Sequence, residues 1–270
     1  MEWINYISQA FELIPFDFFK NLPKLFFDKT AIYQLPALAY LFWFAVFLFI
    51  ISITLCQFNR YLLKARTIED TPTAKIRSAA QGYTELWGSQ YMLGSHLTQG
   101  PLTRLPCCWY RYKIFKKSRK NNWILVFERT SSEPFLIKDS TGECIVEPIG
   151  AEVHAKAKDI WYGFTINPKD KPKSVFWLCI TYLFGTYQYQ EFRMEEGSPI
   201  YVLGYFSTIQ KNESSTHIVS QKGLVSRQPY LISNFGQKEL ARKYRFYAVF
   251  WLLVFLGALP YALWWMSIKL

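Results

Sequence analysis

Between Thr30 and Asn59 the chain carries no Asp, Glu, Lys or Arg, and its centre, Ala37 to Cys56, is apolar on every helical face. A helix of about 20 residues at about 1.5 Å rise covers about 30 Å, the hydrocarbon thickness of a bilayer. A second charge-free run extends from Phe246 to Ile268, with Trp264 and Trp265 near its far end, where an interfacial aromatic belt would place them. Runs this long without charge rarely belong to soluble proteins. The expected class is therefore a multi-pass α+β membrane protein, with transmembrane helices over 35–58 and 246–268.

These two runs confine the rest of the fold. An N-terminal segment occupies 1–34, a soluble domain must be built from 70–235, and a basic juxtamembrane helix start fills 236–245. Residues 60–245 hold 27 Lys+Arg against 16 Asp+Glu, so the whole net charge of +11 lies between the spans. Arg60, Lys64, Arg66, Lys75, Arg77, Arg227, Lys238, Arg242, Lys243 and Arg245 flank the spans on that side, against Lys20, Lys24, Lys29 and Lys269 on the other. Positive residues favour the cytoplasmic side, so both termini are expected outside and the central domain in the cytoplasm.

The start of the chain has no basic n-region and does not read as a cleaved signal. Trp3, Ile7, Phe11 and Ile14 instead describe an amphipathic helix ending near Pro15. It either lies at an interface or oligomer contact, or packs on the protein's own domain. Val175 to Phe184 is about ten residues of apolar sequence, too short to span, and is expected to be a buried element or a segment lying against the membrane surface.

Between the spans the punctuation is that of strands. Gly82–Leu86, Cys108–Phe115, Trp123–Glu128, Pro134–Lys138, Glu143–Glu147, Tyr187–Met194 and Pro199–Phe206 are short, β-branched or aromatic, and bounded by turn residues. Asp139 to Gly142 reads as a hairpin turn, Lys116 to Asn122 as a longer hairpin tip, and Thr73 to Gln81 as a short helix or extended entry. So many short strands argue for a β-rich domain, barrel-like or sandwich-like, between the two helices.

Several blocks in order then carry a resemblance. Lys75 to Tyr83 (KIRSAAQGY), Pro101 to Thr103 with Pro106 to Tyr112, Pro134 to Val153, Glu191 to Gly204 (EFRMEEGSPIYVLG), and Pro229 to Ser233 followed by KELARKYR resemble the GIDE domain, also called the beside-a-membrane or BAM domain. The likeness covers about residues 70–265. The best-known members are mitochondrial and chloroplast membrane ubiquitin ligases, whose domain sits between two transmembrane helices and is followed by a RING finger. The resemblance implies the same helix, domain, helix plan. It also implies structural roles for the motif residues Arg77, Gly82, Pro101, Pro106, Trp109, Tyr110, Arg111, Gly142, Gly197 and Gly204. Similarity to bacterial members, with no RING appended, points to a bacterial inner membrane.

A catalytic module is not carried over. A RING needs about eight Cys/His ligands at paired spacings, and Cys56, Cys107, Cys108, Cys144, Cys179, His96, His154 and His217 form no such pattern. Nucleotide-binding, zinc-protease and nucleophile-elbow motifs are absent. No catalytic residue, metal or other cofactor is expected, and ubiquitin-protein transferase activity rests on the family name alone.

One constellation suits binding, the stretch Cys108 to Trp123. On a strand Trp109, Arg111, Lys113 and Phe115 share one face and Tyr110, Tyr112 and Ile114 the other, with Lys116, Lys117, Arg119 and Lys120 crowding the tip. Arg111, Lys113 and these four tip residues form a candidate surface for anionic lipid headgroups or an unknown protein partner. Nucleic acid is a weaker candidate, and a simply solvated tip is the plain alternative. The expected function is a non-enzymatic, membrane-tethered interaction or scaffold module, with ubiquitin ligase or ligase-accessory function as the alternative.

Overall fold

A computed structural model describes residues 27–94, 98–166, 174–211, 214–221 and 228–269. The amphipathic helix expected over Trp3 to Ile14 lies outside the described residues. The helices are α1 (Lys29–Tyr33), α2 (Ala37–Asp70), α3 (Val175–Phe184) and α4 (Gln237–Ser267). The strands are β1 (Thr73–Ala74), β2 (Gly82–Met92), β3 (Trp109–Lys117), β4 (Trp123–Thr130), β5 (Phe135–Lys138), β6 (Glu143–Val146), β7 (Glu152–His154), β8 (Ala157–Gly163), β9 (Tyr187–Met194), β10 (Pro199–Lys211), β11 (Ser214–Ser220) and β12 (Leu231–Ser233). The chain divides into two units, Lys64–Lys243 and a second unit whose described residues are mainly helical.

In the helical unit, the charge-free runs form α2 and α4, both long and apolar enough to cross a membrane. Asp28 caps α1, its carboxylate accepting the Thr30 N–H at 3.0 Å. Aromatic packing joins the start of α2 to the end of α4. Tyr40 stacks on Trp265 with centroids 4.9 Å apart, Phe47 meets the same ring edge-on at 5.1 Å, and the Tyr40 hydroxyl donates to the Met266 carbonyl at 3.1 Å. Trp265 is therefore buried between helices and does not face outward as a belt residue would. Leu38, Phe42, Phe49, Leu253, Leu256 and Leu263 remain exposed, an apolar surface that fits lipid better than water.

In the second unit, β2 pairs antiparallel with β5, β5 with β6, β6 parallel with β11, β11 antiparallel with β10, and β10 antiparallel with β2 again. Five strands thereby close into a barrel, settling the expected barrel or sandwich as a barrel. Counted within the barrel, the strands run in the order 1-2-3-5-4, the order of the oligonucleotide/oligosaccharide-binding barrel, which defines a fold and no ligand. Leu86, Phe135, Ile137, Cys144, Val146, Ile200, Val202, Phe206 and Val219 fill its interior. At about 25 cal/mol per Å² of apolar surface removed from water, this core supplies the domain's main driving force.

The other sheet, in the order β4-β3-β9-β8, is antiparallel throughout. Its halves come from two excursions of the barrel chain. β3 and β4 interrupt the connection from β2 to β5, while β8, α3 and β9 lie between β6 and β10. Tyr112, Ile114, Trp161 and Tyr189 form its own small core with Leu102. The expected entry over Thr73 to Gln81 is largely extended, with β1 parallel to β2 and a single 3-10 turn at Ile76–Ser78.

Candidate interaction surface

The family-motif residues mostly hold the scaffold together. The loop carrying Pro101 and Pro106 is pinned by Glu191, whose fully buried carboxylate accepts the backbone N–H groups of Leu102 and Thr103, each at 2.9 Å. Arg193 Nε lies 3.8 Å from the same carboxylate, and its Nη2 bonds Asp159 at 2.6 Å. This buried group of two acids and one arginine joins β9, β8 and the loop. Glu191 and Asp159 were not singled out from sequence, although a Glu two residues before an Arg in a strand places both on one face.

Trp109 packs into the barrel core, while Tyr110 packs against the core of the second sheet. Arg77 is exposed, and its N–H donates to the Thr141 hydroxyl at 3.2 Å. Its neighbour Ile76 donates to the Asp139 carboxylate at 2.9 Å, which also accepts from the N–H groups of Thr141 and Gly142. Gly82 and Gly197 take positive φ, of 120° and 75°. Gly204 answers to space instead, since a Cβ there would sit 2.7 Å from the Tyr230 ring. Gly142 lies in the turn between β5 and β6, where a Cβ would make only ordinary contact with Ile76.

The basic hairpin divides in two. Arg111 donates to the Thr130 hydroxyl at 3.2 Å and lies over the Trp109 ring, and Lys113 pairs with Glu128 at 3.0 Å. Those two charges are engaged within the hairpin. Lys116, Arg119 and Lys120 are exposed and Lys117 is half-buried, and none of the four pairs with a described carboxylate. Lys116 Nζ stands 5.9 Å from the Tyr187 ring and Lys117 Nζ 5.9 Å from the Trp123 ring. Asn121 makes the tip turn at φ 64°.

Two apolar features lie exposed beside this tip. Along β4, Trp123, Ile124, Leu125, Val126 and Phe127 are all exposed, from 36% to 56%, on an edge strand whose outer side has no described pairing. α3 is not the buried element that one reading of Val175 to Phe184 expected, because Phe176, Trp177, Tyr182, Leu183 and Phe184 are more than half exposed and only Thr181 is buried.

Reactive chemistry is sparse. Burial pushes the Cys107, Cys108 and Cys144 thiols up to about 12, with the Glu191 charge adding to the effect at Cys107, so all three behave as small buried hydrophobes. His217 stacks on Phe206 and His154 lies 3.4 Å from Glu152, while His96 lies outside the described residues. Among the described residues no three His, Cys, Asp or Glu side chains are grouped to hold a metal ion.

The class is thus a β-barrel protein flanked by two helices of bilayer-spanning length and apolarity. The chain belongs to the GIDE family, whose model, described as E3 Ubiquitin ligase, matches residues 110–264. The match takes in most of the second sheet, the later barrel strands and α4 up to Trp264. The Lys75 to Tyr83 block and the Pro101 loop precede it. No curated protein and no solved structure gives a significant match.

Proposed function

We propose that the chain is a membrane-tethered, non-enzymatic interaction module whose protein partner adds an extended strand to the free edge of β4. The observation that carries this reading is the run Trp123–Phe127, exposed on both faces of an edge strand. Proteins ordinarily protect such edges with charge, Pro or a bulge that turns them away. Here the bulge between Ile114 and Phe115 shifts the register of the β3–β4 pair, yet no charge interrupts the five apolar residues. Main-chain pairing would supply affinity and the side chains specificity. The module is placed in a bacterial inner membrane, with the domain cytoplasmic and both termini outside.

The test is photo-cross-linking in native membranes from Leu125 of the full-length protein. A discrete cross-linked protein is expected, which disappears when Ile124 and Val126 are both changed to Lys and persists when the tip charges are reversed. A cross-link indifferent to the Lys pair removes the β4 reading. The description of the family model is the ground for a second reading, ligase or ligase-accessory function, which needs a RING or a recruited conjugating enzyme. Ubiquitin chains formed by the purified protein with activating and conjugating enzymes would decide for it.

A further inference from the structure

An apolar helix and a cationic tip share one corner of the second sheet. The Lys117 N–H donates to the Thr186 carbonyl at 2.8 Å, and Thr186 follows α3 by two residues. Lys116 lies over Tyr187 in the next strand position. The rings of Trp123 and Tyr162 are 5.7 Å apart, and Tyr182 of α3 meets Tyr162 edge-on at 5.2 Å. Close approach fixes the helix end, since a Cβ on Gly185 would fall 2.2 Å from the Thr181 carbonyl and 3.1 Å from Tyr162. Phe164 and Ile166, just beyond β8, add exposed apolar surface in the same loop region.

The composition of this corner selects its partner. Ten residues of helix extend about 15 Å, half the hydrocarbon thickness, so α3 cannot cross but can lie in the headgroup boundary. Aromatic rings with one apolar and one polar end occupy that boundary. Four cations without described acidic partners suit phosphate headgroups, whereas an apolar protein pocket would leave them unmatched. The domain is also joined by its own chain to both bilayer-length helices, which keeps the local concentration of lipid surface high.

We propose that α3 and the β3–β4 tip form a docking surface for an anionic lipid bilayer. Phe176, Trp177, Leu183 and Phe184 enter the headgroup boundary, and Lys116, Lys117, Arg119 and Lys120 engage lipid phosphates. This rests on the domain being membrane-tethered, but not on a protein partner at β4.

The experiment uses the native Cys179 of α3, which is exposed, while Cys107, Cys108 and Cys144 are buried. In full-length protein carrying Cys56→Ser, Cys179 is labelled with an environment-sensitive fluorophore and the protein is reconstituted into vesicles. With phosphatidylcholine plus phosphatidylglycerol, the label is expected to shift to the blue and to be quenched by nitroxides on the lipid chains. Replacing Lys116, Lys117, Arg119 and Lys120 with Glu should shift the docking equilibrium at least about tenfold toward the undocked form, since each cation near an anionic surface adds attraction and each Glu adds repulsion. Raised salt should act in the same direction. Unchanged circular dichroism shows that the variant is folded, and a second variant, Trp177→Ser, weakens docking without altering charge. A label that stays solvent-like in every vesicle overturns the proposal. So does a label protected from water but not reached by lipid quenchers, which would mean that a second copy or another protein covers α3. Capture of a partner at β4 alongside a solvated α3 would leave the proposed function standing and remove this inference alone.

Discussion

Glu85 is a carboxyl kept almost wholly out of water, at 1% exposure, on a strand that closes the barrel. The Tyr201 hydroxyl donates to it at 2.8 Å and the Gln237 amide at 3.1 Å, with the Thr73 hydroxyl at 2.5 Å. Gln237 also donates to the Ile68 carbonyl at 2.8 Å, so one side chain ties the final turns of α2, the start of α4 and β2 together. Burial raises the Glu85 pKa, and the three hydrogen bonds only partly offset it. A carboxyl with a raised folded pKa stabilises the fold fully below its unfolded value, about 4.3, and that contribution is lost as pH rises through the folded pKa. The thermal midpoint of the domain in detergent should therefore fall as pH rises above about 4.3, and Glu85→Gln, which keeps the shape without a titrating proton, should flatten that slope. Equal slopes in the two proteins would refute the role. Asp139 works in the opposite window. Although desolvation raises its pKa, hydrogen bonds from Thr141, Ile76 and Gly142 outweigh it and lower the value overall, so its contribution is present at neutral pH and lost on acidification.

At the scale of elements, the barrel depends on how closely β10 approaches what covers it. The Tyr230 hydroxyl donates to the Glu147 carbonyl at 2.6 Å and the Val219 carbonyl at 3.2 Å, so its ring cannot retreat from Gly204. Gly204→Ala places a Cβ 2.7 Å from that ring and 2.8 Å from Val219 Cγ1. It should cost about 1–3 kcal/mol in denaturant unfolding, and adding Val219→Ala should return part of the loss, because the two positions share one space. Strict additivity would show that the strain is relieved elsewhere. The partner in this contact was not legible in the sequence, where Gly204 reads as a motif glycine with a structural role but nothing points to Tyr230. Strands with strong patterns were legible, and Tyr187–Met194 has the same limits in the fold as in the sequence. β7, β8, β11 and β12 were not, because Glu152–His154 and Leu231–Ser233 are short, Ala157–Gly163 carries Lys158 and Asp159, and Ser214–Ser220 is mostly polar. Their pairing comes from barrel closure and the second sheet, which local propensity does not record. The hairpin illustrates the same limit, since the neutralisation of Lys113 depends on a register that sets it opposite Glu128.

For the whole molecule, the distribution of charge is the strongest remaining constraint. The two long helices are legible as apolar runs, although α2 continues to Asp70 and α4 starts at Gln237, beyond the charge-free stretches, and their packing is not legible. A belt position for Trp265 follows from sequence distance along the span, whereas its burial follows from Tyr40 and Phe47 on the other helix. Orientation depends on neither and is set by Lys and Arg close to the span ends, where the segment between the runs holds Arg60, Lys64, Arg66, Lys238, Arg242, Lys243 and Arg245. Long segments can cross regardless of charge, so the reading needs a reporter inside the domain. Alkaline phosphatase matures only where its disulfides form, outside the reducing cytoplasm. Fused after Gln210, within the segment between the helices, it should be inactive in intact bacterial cells, while a fluorescent protein at the same site should be bright. Adding Lys residues after Lys269 should weaken that preference, because they compete directly with the basic cluster that begins at Lys238. Phosphatase activity at the Gln210 fusion would invert the molecule, putting the basic hairpin and α3 on the outer face, and the cytoplasmic placement of the domain would then be abandoned.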